Sequence, residues 1–342
     1  MLKRQLLAAA IFGRPEPHAW TNRTITTTSN FYALAYSAPQ DRMVAVGAYS
    51  NVGNPANAMA YSDDGGKTWT AVSYPAQTFS RTWRDVKYTT YNGGTWVAVA
   101  DTATEANLAT SSDGITWSFS LISGVSPKAI HFDGTYFHIG CSGATYKRST
   151  NLTSWTDPTA GPAITITGFA QNGSNRIVGV GDTSGYYSDD NGDNWTAVVI
   201  DANYNWVDVI YSTKLSLWIA VAESITAGTS TTFAATSATG LTGSWTLRTT
   251  HTGAVVGGLN KIAQANDNAD TYHLCAVYGE GSTAPQIKTS TNGTSWTNRT
   301  GSITGGVFTG PSIAYSLFGE NFCVVAADAS FNGKCMTSTT GT

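Results

Sequence analysis

Short apolar runs that do not alternate recur along the chain, each followed by polar, glycine-rich punctuation. The plainest are Met43-Val44-Ala45-Val46, Trp96-Val97-Ala98-Val99, Ile177-Val178-Gly179-Val180 and Trp218-Ile219-Ala220-Val221. Tyr136-Phe137-His138-Ile139, Leu274-Cys275-Ala276-Val277 and Phe322-Cys323-Val324-Val325 complete a set of seven. A strand that is apolar on both sides must be covered on both faces. Around the first run the pattern predicts four strands: Phe31 to Ser37, the Met43 run, Ala58 to Tyr61, and Trp69 to Val72. Ala38-Pro39-Gln40-Asp41 and an Asp-rich stretch supply the turns. No long helical period appears after residue 12.

A second pattern sets the count. A hydroxyl residue, Asp/Asn/Gly punctuation and a Trp recur, most fully at Ser62-Asp63-Asp64-Gly65-Gly66-Lys67-Thr68-Trp69 and Ser188-Asp189-Asp190-Asn191-Gly192-Asp193-Asn194-Trp195. Looser copies end at Trp117, Trp155, Trp245 and Trp296. The chain stops at Gly341-Thr342 where another Trp is due, while Trp20-Thr21-Asn22-Arg23-Thr24 stands alone near the start and repeats Trp296-Thr297-Asn298-Arg299-Thr300. A period of this size marks a repeat architecture. Four short antiparallel strands per repeat predict an all-β, seven-bladed β-propeller over residues 18–342, with the Trp20 strand closing the last blade.

Composition narrows the chemistry. A net charge of −3 with 12% charged residues leaves no basic stripe for nucleic acid. Eleven Trp, sixteen Tyr and twelve Phe supply a core. No apolar run approaches 18 residues, so no membrane span is expected. Cys141, Cys275 and Cys323 fall in the second-strand pattern as small buried hydrophobes. Cys323 and Cys335 could also face each other across a hairpin, which leaves a disulfide open. No Cys/His spacing indicates a metal, and no cofactor is expected.

Residues 1–17 form a separate arm. Leu2, Leu6, Leu7 and Ile11 give a short apolar stripe suited to a helix that anchors the chain on a partner, and Pro15 and Pro17 stiffen the linker. The basic start and apolar run resemble an export signal, but Gly13-Arg14-Pro15-Glu16-Pro17 is a poor cleavage region.

The repeated phrase resembles the Asp-box, or BNR repeat, of sialidase-like propellers, from about Trp20 to Thr342. It is strongest at Ser62, Asp64, Gly66, Trp69 and at Ser188, Asp190, Gly192, Trp195. In Arg148–Trp155 and Ala238–Trp245 the glycine position reads as Leu152 and Thr242. The resemblance implies a structural turn on the face away from any ligand, so Asp64 and Asp190 are expected to lock turns and not to act as catalytic acids. Exo-sialidase chemistry needs three arginines on a carboxylate, a Tyr–Glu nucleophile and an Asp acid near the axis. Here Arg23, Arg248 and Arg299 fall on outer strands, and only Arg81 and Arg84 approach the axis. A second resemblance, to the seven-bladed photosystem-assembly propellers, implies a basic patch that this arginine-poor chain does not carry.

Aligning the innermost strands on Leu34, Val86, Ile130, Phe169, Val209, Ile262 and Ile313 brings Asp85, Asp208 and Lys261 to one register near the channel. Trp83, Arg84, Lys128, His131 and Trp206 are neighbours. The candidate ligand site is therefore Trp83, Arg84, Asp85, Lys128, Trp206, Asp208 and Lys261 at the channel mouth, with mutual charge pairing as the alternative role. Low charge, Thr/Ser/Gly-rich loops and the missing catalytic set favour a non-enzymatic structural or adhesion protein. The expected setting is a phage virion (tail, fibre or capsid decoration), contacting structural proteins of the same particle or a host-surface glycan or protein. A secreted carbohydrate-binding propeller and a sialidase-like glycosidase are the alternatives.

Overall fold

In the computed structural model, residues 17–25, 29–49, 58–72, 81–224, 232–251, 258–265, 274–278, 287–299, 309–316, 321–327 and 333–340 are described. Seven antiparallel sheets follow one another in chain order. Their innermost strands are Ser29–Ser37, Trp83–Thr89, Pro127–Phe132, Gly168–Gln171, Tyr204–Ser212, Leu259–Gln264 and Thr309–Ser316. The seven apolar runs are the second strands, buried on both sides as their lack of alternation requires. A 3-10 turn at Tyr91–Gly93 is the one helical element among the described residues. The stripe of Leu2, Leu6, Leu7 and Ile11 lies outside them; Pro17, assigned to the arm by sequence, opens a strand.

The ring closes as the split phrase predicts. Pro17–Thr24 is the outer strand of the seventh sheet, antiparallel to Gly333–Thr340, with Trp20 opposite Ser338 and Arg23 opposite Cys335. Its chemistry repeats that of its sequence twin. Arg23 Nε donates to Thr337 Oγ1 at 3.0 Å, Arg299 Nε to Thr289 Oγ1 at 2.8 Å, and Arg248 Nε to Thr236 Oγ1 at 2.8 Å. These three arginines hold outer strands to third strands and lie away from the axis.

Six sheets have four strands; the third has three. Its fourth-strand segment contains Pro158 and Pro162, which cannot donate to a ladder. It bridges its own blade only at Arg148–Thr156 and then joins the next, where Ala160 N donates to Asp193 O and Trp195 N to Ala160 O.

The repeated phrase is a self-satisfied turn. Ser62 Oγ accepts the Gly66 N–H at 2.9 Å and donates to Asp64 Oδ1, which also takes the Lys67 and Thr68 N–H groups. Ser188, Asp190 and Gly192 repeat this arrangement. Burial alone would raise the carboxyl pKa, but these donors outweigh it and hold Asp64 and Asp190 below the usual carboxylate range. Both stay ionised at neutral pH, as turn locks should. The Trp69 and Trp195 indoles donate to the Gly66 and Gly192 carbonyls at 3.0 and 3.1 Å. In the fifth blade Gly240, not Thr242, fills the glycine position: its N–H reaches Ser237 Oγ at 2.7 Å and its φ is +76°. Extra residues before Trp245 hid it from the alignment.

Each turn also presses on the preceding blade. A Cβ on Gly66 would lie 2.5 Å from Cys323 Sγ, and one on Gly192 would lie 2.0 Å from the Tyr146 hydroxyl. Arginines staple the same face. Arg42 pairs with Asp63 and donates to Asp113 O of the next blade; Arg176 pairs with Asp189 and donates to Thr239 O of the next.

Candidate functional site

The opposite face is built around an irregularity in the innermost strands. In six blades the pairing of first and second strands slips, between Phe31/Ala33, Trp83/Asp85, Pro127/Ala129, Trp206/Asp208, Leu259/Lys261 and Thr309/Ser312. A bulge of this kind leaves an extra residue unpaired and re-aims its side chain. Tyr32, Arg84 and Lys128 occupy that position in the first three blades.

These three gather at the mouth. The Arg84 guanidinium lies 5.2 Å from the Tyr32 ring centroid, and its Nη2 donates to Asp101 Oδ2 at 3.1 Å. The Lys128 ammonium bonds to the same oxygen from the next blade, and Ser126 Oγ donates to Oδ1 at 2.7 Å. Burial by itself would raise the Asp101 pKa; Lys128, Ser126 and Arg84 more than offset it and hold the group below its ordinary value. Two cations therefore share one carboxylate, on rigid strands, with Arg84 about a third exposed.

Asp85 and Asp208 belong to a different layer. Asp85 Oδ2 accepts the Ile130 N–H at 3.0 Å, and Asp208 Oδ2 accepts the Ile262 N–H at 3.1 Å. Ser312 Oγ does the same for the Leu34 N–H at 3.1 Å. At each of these places one blade caps the channel-side amide of the next, so this register latches blades together. Lys87 Nζ lies 3.0 Å from Asp85, and Lys261 Nζ lies 3.8 Å from Asp208. Desolvation would lower the Lys87 pKa, yet Asp85 and then Asp208 raise it above the usual value. The channel charges thus neutralise one another.

The seven sequence-selected residues accordingly divide. Arg84 and Lys128 meet at the mouth; Asp85, Asp208 and Lys261 pair within the channel. Trp83 and Trp206 leave the site altogether, being 1% and 0% exposed. Trp83 packs in the cluster between the first two blades beside Phe119, and the Trp206 indole donates to Asp201 O at 2.9 Å. They directly precede the bulged residue, on the core side of the slip. His131 stacks on His138 and Phe169, and burial, with His138 and Lys87 adding to it, pushes its pKa down to about 3. It is neutral at physiological pH.

Sequence reasoning missed Tyr32, Ser126 and Asp101 as site residues. Asp101 stands five residues beyond Trp96, as Glu223 stands five beyond Trp218 in the fifth blade, and the Glu223 carboxylate accepts from Asn260 Nδ2 at the corresponding bulge. Counting positions beyond the apolar run would have found it. Between second and third strands, 101–107 is described, whereas 50–57, 225–231 and 279–286 lie outside the described residues, as do 252–257 and 301–308 between fourth and first strands. No three His, Cys, Asp or Glu residues gather as metal ligands among the described residues.

No protein-family model matches the chain, and no curated protein matches it. Solved structures do. A structure described as YCF48 bound to D1 peptide superposes with a TM-score of 0.69 at 14% identity, covering 96% of this chain and 98% of that one. YCF48 from Cyanidioschyzon merolae gives 0.63 at 14% identity, with 94% and 98% covered. The likeness is one of fold. Both align with the seven-bladed ring over nearly the whole chain.

Proposed function

We propose that this chain is a non-enzymatic protein-binding propeller, a structural or adhesion subunit of a larger assembly. The mouth carries the proposal: Arg84 and Lys128 from adjacent blades meet on Asp101 while the Tyr32 ring of the blade before lies against Arg84, leaving one surplus positive charge beside an aromatic ring. Such a group suits an extended protein segment bearing a carboxylate, with the ring supplying rigidity and the loops supplying selectivity. That a propeller of like fold is described with a bound peptide supports a ligand of this size. The setting we favour is a phage virion, with other structural proteins of the particle or a host-surface protein as partner and the segment before the closing strand, residues 1–16, as the anchor.

Photo-crosslinking from position 32 in the native host should capture one defined protein partner. The double variant Arg84→Ala/Lys128→Ala should lose that capture and keep its melting temperature. Deleting residues 1–16, which spares the closing strand, should leave a folded ring that no longer enters its particle. Turnover of a fluorogenic sialoside above blank, or binding confined to a glycan array, would sink the proposal.

A further inference from the structure

We propose that Cys323 and Cys335 are a dithiol that closes to a disulfide within the blade that seals the ring. The two lie on adjacent strands, Asn321–Ala327 and Gly333–Thr340. Cys323 is paired with Thr337 and Cys335 with Val325, which makes the cysteines diagonal neighbours on one face of the sheet. Their sulfurs are 3.2 Å apart and free, roughly 1 Å beyond a disulfide bond of about 2.0 Å. Both are almost wholly buried, at 0% and 1%.

The surroundings hold the pair together. Cys335 Sγ lies 3.4 Å from Gly66 O, and a Cβ on Gly66 would strike Cys323 Sγ, so the first blade's turn closes over both thiols. Asn321 Nδ2 donates to Gly65 O at 2.9 Å and fixes that turn on the seventh blade. Two thiols alone make a poor metal site, and no His, Asp or Glu joins them in a candidate cluster among the described residues. Cys141 and Cys275 sit in separate apolar clusters and serve as built-in controls.

The oxidant is a small disulfide of the glutathione class. One cysteine thiolate attacks it, forming a mixed disulfide and expelling one glutathione thiolate. The second cysteine thiolate then attacks the protein sulfur of that mixed disulfide and expels the other glutathione. The two cysteine protons end on the two glutathiones, and the electron pair has passed to the oxidant. Burial keeps Cys323 protonated in the closed ring, so exchange belongs to the stage before the first blade's turn seats. The bond then ties the second and third strands of the closing blade and restricts the unfolded chain over residues 323–335.

The full chain should be made in parallel in a host with a reducing cytoplasm and in one with an oxidising cytoplasm. After denaturation and alkylation, peptide mapping should find Cys323 linked to Cys335 only in the second, with Cys141 and Cys275 alkylated in both. The linked protein should melt several degrees higher. Cys323→Ser should abolish the link and the difference between hosts. If that variant does not fold, the wild-type comparison decides alone. Alkylation of all four cysteines in both hosts overturns the proposal, as does a link that leaves the melting temperature unchanged or lower.

Discussion

Replacing Gly192 by alanine tests why the repeated turn needs glycine, because two separate demands meet there. The backbone has φ +74°, which costs an L-residue about 1–2 kcal/mol. The added methyl would also lie 2.0 Å from the Tyr146 hydroxyl and 2.8 Å from His138 Nδ1. Those two atoms are hydrogen-bonded to each other at 2.5 Å, and their side chains are 3% and 0% exposed. Tyr146 cannot retreat easily, since it stacks edge-on to Trp195 with centroids 5.2 Å apart. Overpacking of this kind costs about 1–3 kcal/mol, and a broken buried hydrogen bond about 1–3 more. The expected loss for Gly192→Ala is therefore about 3–8 kcal/mol. Gly124 is the control: its φ is also +74°, but a Cβ there would meet nothing within 4 Å. Gly124→Ala should lose only the backbone part, about 1–2 kcal/mol. Equilibrium urea unfolding of both variants measures the difference. Losses equal to within about 0.5 kcal/mol would show that inter-blade contact contributes nothing, and would refute the account of the turn as a packing element.

Leu152 takes the glycine position in the third blade at φ +64° but fills the core beside Val97 and Ile139; Leu152→Gly should destabilise by about 2–4 kcal/mol despite relieving the backbone, and a gain in stability would contradict this. Deleting residues 1–24 removes the strand that buries Trp20 to 8% exposure and pairs Arg23 with Thr337. An unchanged melting temperature in that truncation would disprove the closure; a loss of about 3–5 kcal/mol or more is expected from the Trp alone. Stability should also fall with acid. Burial lowers the pKa of His138, of His131 to about 3 and of His251 to about 4, so each is neutral when folded. The unfolded chain binds protons first, below its ordinary histidine pKa of about 6.5. The contribution is complete above that pH and is lost as pH falls toward the folded values, at up to about 1.4 kcal/mol per pH unit for each fully buried histidine. Urea unfolding at pH 7.5, 6 and 5 should show this slope, and His251→Gln should reduce it.

The blade count and ring closure were legible because the phrase around Trp69 and Trp195 serves the same packing need wherever it recurs with its glycine, at Gly66, Gly114, Gly192, Gly240 and Gly293. A residue such as Arg23 betrays its place by repeating the neighbours of Arg299. The mouth was harder to read. Counting along a strand assumes strict alternation, and a bulge inserts a residue with no signature of its own. That is how Trp83 and Trp206 came to be placed beside the channel while Tyr32 went unnoticed. Asp85 and Asp208 fell in the right register, but their task is to meet the amides of Ile130 and Ile262 on another blade. Nothing local to either aspartate announces that distance. The third blade departs from four strands for a reason that is visible, in Pro158 and Pro162, only once the fold is known.

The pairing of Pro17–Thr24 with Gly333–Thr340 also sets a timetable. Of the ring's strands, the earliest to leave the ribosome belongs to the last sheet to form. At about 5–20 residues per second, the 316 residues between Thr24 and Thr340 take roughly 16–63 s to synthesise. Throughout that interval the strand has no partner, and its ladder groups are open to other chains. A polar sequence, His-Ala-Trp-Thr-Asn-Arg-Thr, with one large apolar residue and one cation, is suited to waiting. Several nascent copies on one message would hold such strands at the same time, and exchange of first strands between neighbours would yield a chain-linked pair of rings in place of two separate ones.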